Sequence, residues 1–212
     1  MEKNRKIKLM DIIKKHIIQN YKEYMIIMIF FIIGIFLGVF FINQIKDEQR
    51  AEIHQYLSEF INNMKNTTDI DETAVLKSSI YDKIWLTIAI WFFGTTIIGI
   101  PMVFGLVIYR GFCLGYTIST AISLMGFTKG FSFILVTLVL QNIILIPALI
   151  GLAVSGFKFY KSIIKDRRKE TIKLAFVRHT IFSSFMLGGL LISSLIEVFA
   201  STNLLKMTIQ YF

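Results

Sequence analysis

Several stretches of this chain run for about 18 or more residues with almost no charge, and that narrows its folds sharply. A hydrocarbon core about 30 Å thick takes roughly 20 apolar helical residues to cross. In lipid the backbone must satisfy its own hydrogen bonds, which leaves a helix or a closed barrel. No alternating apolar/polar period runs through the blocks, so helices are expected. Of the 212 residues 55% are hydrophobic, above the 45–50% or so of soluble domains, and the excess lies in these blocks. The expected fold is all-α: a polytopic transmembrane bundle of five spans.

The first block is residues 25–42. Residues 1–24 carry seven Lys or Arg, and no small-x-small cleavage site follows the block, so it reads as a retained span. Leu9, Ile12, Ile13, Ile17 and Tyr21 recur at helical spacing among lysines, which predicts a basic amphipathic leader on the cytoplasmic surface. Residues 43–83 form the one sizeable polar segment, expected to be an extracytoplasmic loop, and hold eight of the fourteen acidic residues. Ile53, Leu57, Phe60, Ile61 and Met64 mark an amphipathic helix there, and Thr68 or Asp71 can cap a short second helix leading into Trp85.

Residues 84–157 are expected to be a core of three spans. The second block, 84–109, is interrupted by Gly99-Ile100-Pro101; Arg110-Gly111 follows, then a short third block at 112–125. The turn between spans two and three is assigned to Arg110-Gly111, because a central arginine would cost about 2.5–3.5 kcal/mol. Residues 126–130 read as a tight turn, and 131–157 as the fourth span, with Gln141, Asn142 and Pro147 inside it. A basic cytoplasmic segment at 158–179 precedes the fifth span, 180–200, and a tail, 201–212.

Net charge is +9. The basic residues flank the blocks, where orientation and anionic lipid explain them; nucleic-acid binding is not expected, since no reader motif accompanies them. With the N-terminus inside, 16 of the 23 basic residues fall on the cytoplasmic side and 7 outside. The N-terminus is therefore placed in the cytoplasm and the C-terminus outside.

Small residues recur four apart: Gly34 and Gly38 in the first span; Gly111, Gly115, Ser119 and Ser123 in the third; Gly189, Ser193 and Glu197 in the fifth. Such ridges pack helices in lipid, against sister spans or against a partner's, and they leave self-association open. The adjacent amides Gln141 and Asn142 need partners in mid-span. A polar clasp to Thr117, Ser119, Thr120 and Ser123 is one reading, and a solute or ion pathway is the other. Glu197 is expected to reach water near the outer end of its span.

Catalysis finds little support. Cys113 stands alone, His16, His54 and His179 lie in different segments, and no H-E-x-x-H, nucleophile elbow or phosphate loop occurs. No metal, cofactor or enzymatic activity is expected. The nearest approach is Ala153-Val154-Ser155-Gly156, whose Ser155 could share the inner face with His179.

Residues 78–159 resemble the stage II sporulation protein M family of endospore-forming bacteria. The resemblance is carried by Gly99-Ile100-Pro101, Arg110-Gly111 with Gly115, Met125-Gly126-Phe127 with Gly130, and Gln141-Asn142 five residues before Pro147. Many family members have a proline where Leu140 stands. The resemblance implies a scaffold in engulfment, in the mother-cell membrane at the sporulation septum. Its partners there would be stage II sporulation proteins D and P, which cleave peptidoglycan. Pro101, Arg110, Gly111, Gly115, Gln141, Asn142 and Pro147 are the expected structural and interaction residues. The alternative is a small permease using the polar pair of the fourth span, although no inverted repeat is evident.

Overall fold

A computed structural model describes residues 14, 17–66, 71–96, 98–165, 169–201 and 203. All regular elements among them are helical: α1 (Tyr21–Gln44), α2 (Asp47–Asn66), α3 (Glu72–Gly94), α4 (Ile100–Met125), α5 (Phe127–Ile134), α6 (Leu140–Lys165) and α7 (Lys169–Ile196). A π-helical turn, Leu135–Val139, joins α5 to α6 without a break, and another, Glu197–Ser201, continues α7. Four of the resulting helices are long and apolar enough to cross a membrane: Tyr21–Gln44, Ile100–Met125, Phe127–Ile164 and Ile172–Phe199. Most of the leader's pattern, including Leu9, Ile12 and Ile13, lies outside the described residues, as does Thr68.

The turn assigned to Arg110-Gly111 does not exist. Helix α4 runs unbroken through both residues, and the chain reverses between Gly94 and Ile100 instead. The local chemistry explains why. Thr95 and Thr96 return their hydroxyls to the Phe92 and Phe93 carbonyls at 2.7 and 3.1 Å, closing the end of α3. Pro101 then sits in the first turn of α4, where its missing N–H costs no hydrogen bond. Arg110, whose cost argued for the other turn, opens onto a polar cavity inside the bundle, described below. A second correction concerns residues 126–130: only Gly126, at φ +78°, leaves helical geometry, and Gly130 is already within α5.

The expected second helix of the polar segment begins where the capping argument put it. Asp71 accepts the Ala74 N–H at 3.0 Å, but the helix is not short and continues to Gly94.

The closest pairing in the bundle is α1 with α4, made by glycine. A Cβ on Gly34 or Gly38 would overlap the carbonyl oxygen of Ile108 or Phe112, and one on Gly111 or Gly115 that of Phe31 or Ile35. The two ridges meet each other, so they are used within the chain. The core beside them holds Ile27 and Phe31 of α1, Leu86 and Ile90 of α3, Val103 and Val107 of α4, and Leu149 to Val154 of α6. On α1 the opposite face is bare, with Phe36 70% and Phe40 61% exposed, as suits a helix facing lipid.

Candidate functional site

Two polar constellations occupy the bundle. The first surrounds a cavity of about 190 Å³. Its wall combines Phe31 of α1, Asp82 and Lys83 of α3, Arg110 and Cys113 of α4, Gln141 and Asn142 of α6, and Glu197 after α7. Lys83, in the segment read as an outer loop, is buried and donates to Glu197 Oε2 at 2.6 Å. Ser79 donates to the same oxygen at 2.6 Å and accepts from Lys83 Nζ at 2.8 Å. Glu197, expected to reach water, keeps 29% of its side chain exposed and is at the same time held in an ion pair inside the bundle.

Arg110 lies about 15 Å from the start of α4 at 1.5 Å per residue, in the middle third of that helix. It is half-buried and makes no hydrogen bond or ion pair among the described residues. Gln141 and Asn142 do line the same cavity, but they do not clasp α4. Asn142 donates back to the Leu138 carbonyl at 2.8 Å, and at Gln141 the observed bond is Ser193 donating to its main-chain carbonyl at 3.0 Å. Thr117 lines the cavity too but gives its hydroxyl to the Cys113 carbonyl, and Thr120 Oγ1 is buried with no partner among the described residues. Helices α3, α4 and α6 and the turn after α7 thus bring Lys83, Arg110, Gln141, Asn142, Asp82 and Glu197 to one place, although no short segment contains them.

Of the other expected residues, Gly111 and Gly115 serve the α1–α4 contact, and Pro101 opens α4. Pro147 stands inside α6 on its exposed side. A larger pocket, about 530 Å³, lies between α2 and α4 against Tyr56, Tyr116 and Phe133, and among the described residues Glu52 is its one charged wall residue.

The second constellation ties α3, α6 and α7 together. Ser155 Oγ and His179 Nδ1 are 2.8 Å apart, as the shared-face reading required. His179 Nε2 lies 3.4 Å from the Trp91 carbonyl, which can only accept. That assigns the ring proton to Nε2 and makes the Ser155 hydroxyl the donor to Nδ1. Trp91 Nε1 donates to Thr180 Oγ1 at 3.1 Å, and the Phe159 ring stacks on the imidazole at 5.8 Å. A Cβ on Gly94 would come within 2.9 Å of Gly156 Cα and 3.2 Å of His179 Nε2. The contact is tight enough to bury His179 to 2% and Ser155 to 8% exposure. The pair has the donor–acceptor sense of a nucleophile and its base, but it is packed shut and apart from the charged cavity.

The profile of a protein family described as Stage II sporulation protein M matches residues 27–202, from the first turns of α1 to the end of the turn after α7. The chain belongs to the stage II sporulation protein M family. No curated protein and no solved structure matches it. Within this family the chain is a sporulation membrane protein built on apolar helices long enough to span a bilayer.

Proposed function

We propose that this family member is a non-enzymatic scaffold in engulfment, seated in the mother-cell membrane at the septum. It organises the membrane anchors of peptidoglycan hydrolases, with stage II sporulation proteins D and P as the partners that the resemblance implies. The family match carries this reading, because it runs over residues 27–202, most of the chain, and not over a single motif. Co-purification from sporulating cells tests it: both hydrolases should be retained on the tagged protein. Normal localisation of both in a deletion strain would sink the proposal.

The topology we propose keeps five crossings, with the N-terminus in the cytoplasm and the C-terminus outside. Helix α3 supplies the fifth, since 23 residues span about 34 Å. Its charged side chains Asp82 and Lys83 face the cavity. Moving Lys83 and Arg110 into the bundle leaves the excess of basic residues on the cytoplasmic side. A cysteine at Ile98, which is 88% exposed between α3 and α4, should be labelled from the cytoplasmic side only.

The charged cavity gives specific support to one other reading, a small permease that uses the Gln141–Asn142 pair. Liposome flux by the purified protein, abolished by Gln141→Ala, would favour it over the scaffold.

A further inference from the structure

We propose that the central cavity is a binding site for one small oxyanion, a phosphate or carboxylate group held on the Arg110 guanidinium. The inference depends on neither reading above, because it follows from the unpaired guanidinium in the cavity.

A guanidinium stays protonated at any accessible pH and presents five donors in a fixed fork matched to oxyanions. On a span it is costly at mid-depth unless something accepts from it. No described residue accepts a hydrogen bond from it or pairs with it. Glu197, the nearest candidate in kind, already takes Lys83 and Ser79 on one oxygen at 2.6 Å each. Asp82 also faces the cavity, yet it is exposed and forms no ion pair with Arg110. Among the described residues Arg110 is therefore the cation of this cavity with no carboxylate within ion-pair distance.

The surroundings suit an anion. Gln141 adds amide donors, and Asn142 has a second N–H beyond the one given to Leu138. A volume of about 190 Å³ admits a tetrahedral oxyanion with some of its water and is too small for a large solute. Asp82 and Glu197 both oppose an anion, which limits affinity, and Asp82, outside the ion pair, supplies a sign test. The oxyanion can come from solution or from a phospholipid headgroup.

Cys113, the chain's only cysteine, lines the same cavity and is a native reporter. The full-length protein, purified in a phosphate-free maltoside, is treated with a small thiol reagent. Saturating inorganic phosphate should slow labelling of Cys113 about tenfold, the factor that 1.4 kcal/mol of protection represents. Chloride at equal ionic strength should not. Asp82→Asn should shift half-protection to lower phosphate, and Arg110→Gln should remove protection. If phosphatidylglycerol added to the micelles protects Cys113 without free phosphate, the headgroup is the source. If only phosphate protects, the ligand is soluble. Three results would overturn the site: no protection by either, equal protection by chloride, or undiminished protection in Arg110→Gln. If that variant does not fold, Arg110→Lys replaces it and must weaken protection, because an ammonium lacks the fork.

Discussion

The Lys83–Glu197 pair should respond unequally to loss of its two members. The Lys83 side chain is 7% exposed and that of Glu197 29%, so the cation is cut off from water while the carboxylate keeps a share of it. Breaking a buried pair by removing one partner costs about 3–5 kcal/mol, mostly through the charge left behind. Glu197→Gln leaves that charge on the enclosed ammonium. Ser79 and the new amide oxygen still accept from it, so about 3 kcal/mol is expected, the low end of that range. Lys83→Met leaves the charge on the carboxylate, which Ser79 and water still solvate, for about 1–2 kcal/mol. The double variant, with no charge to strand, should cost about 1 kcal/mol or less, because replacing a whole buried pair is often close to neutral. Unfolding in mixed micelles by added dodecyl sulfate, followed through Trp85 and Trp91, measures all three. The reasoning fails if Glu197→Gln costs no more than Lys83→Met, or if the two losses simply add in the double variant.

Where α1 meets α4, Gly34→Ala or Gly115→Ala must push the backbones apart and should cost about 1–3 kcal/mol in the same assay. Gly105→Ala meets nothing within 4 Å and should instead stabilise α4 by up to about 1 kcal/mol. Ser155→Ala strands Nδ1 of a buried imidazole and should lose about 1–3 kcal/mol of stability. Asp71 is held below the ordinary aspartate range, chiefly by the Ala74 N–H and then by the Thr73 hydroxyl. A depressed folded-state pKa means that the cap's contribution is fully present above the ordinary value of about 3.9 and fades as pH falls through the lower one. Hydrogen exchange at the start of α3 should rise over that window relative to its intrinsic rate, and Asp71→Asn should flatten the response.

The main lines of the bundle could be read along the chain. Block length announced α1, the long helix through α6, and α7. Aspartate chemistry located the start of α3, and the spacing of Gly34, Gly38, Gly111 and Gly115 marked two surfaces built for close approach. The turn after α3 could not be read the same way. Both Arg110-Gly111 and Gly99-Ile100-Pro101 looked like interruptions, and choosing between them required the environment of Arg110. The Ser155–His179 contact was legible as a shared inner face, because both ends of the intervening basic segment had to return there. Lys83 was missed because a lysine at the edge of an apolar block normally marks the water boundary; its signal was the spacing of Ser79, Lys83 and Thr87 along one face of a helix.

By itself, then, the sequence determined that this chain is a set of apolar helices, where α3 begins, and which faces could pack without side chains in the way. Those are local properties, set by hydropathy, capping and the absence of a Cβ, and they act over a few residues. Tertiary structure alone decided that Arg110 is in mid-helix, that Lys83 pairs with Glu197 across 114 positions, and that the paired amides face a charged cavity and do not clasp α4. The physical reason is that the cost of a charge in a membrane depends on what surrounds it, and the surroundings of Arg110 come from five helices that only the folded bundle brings together.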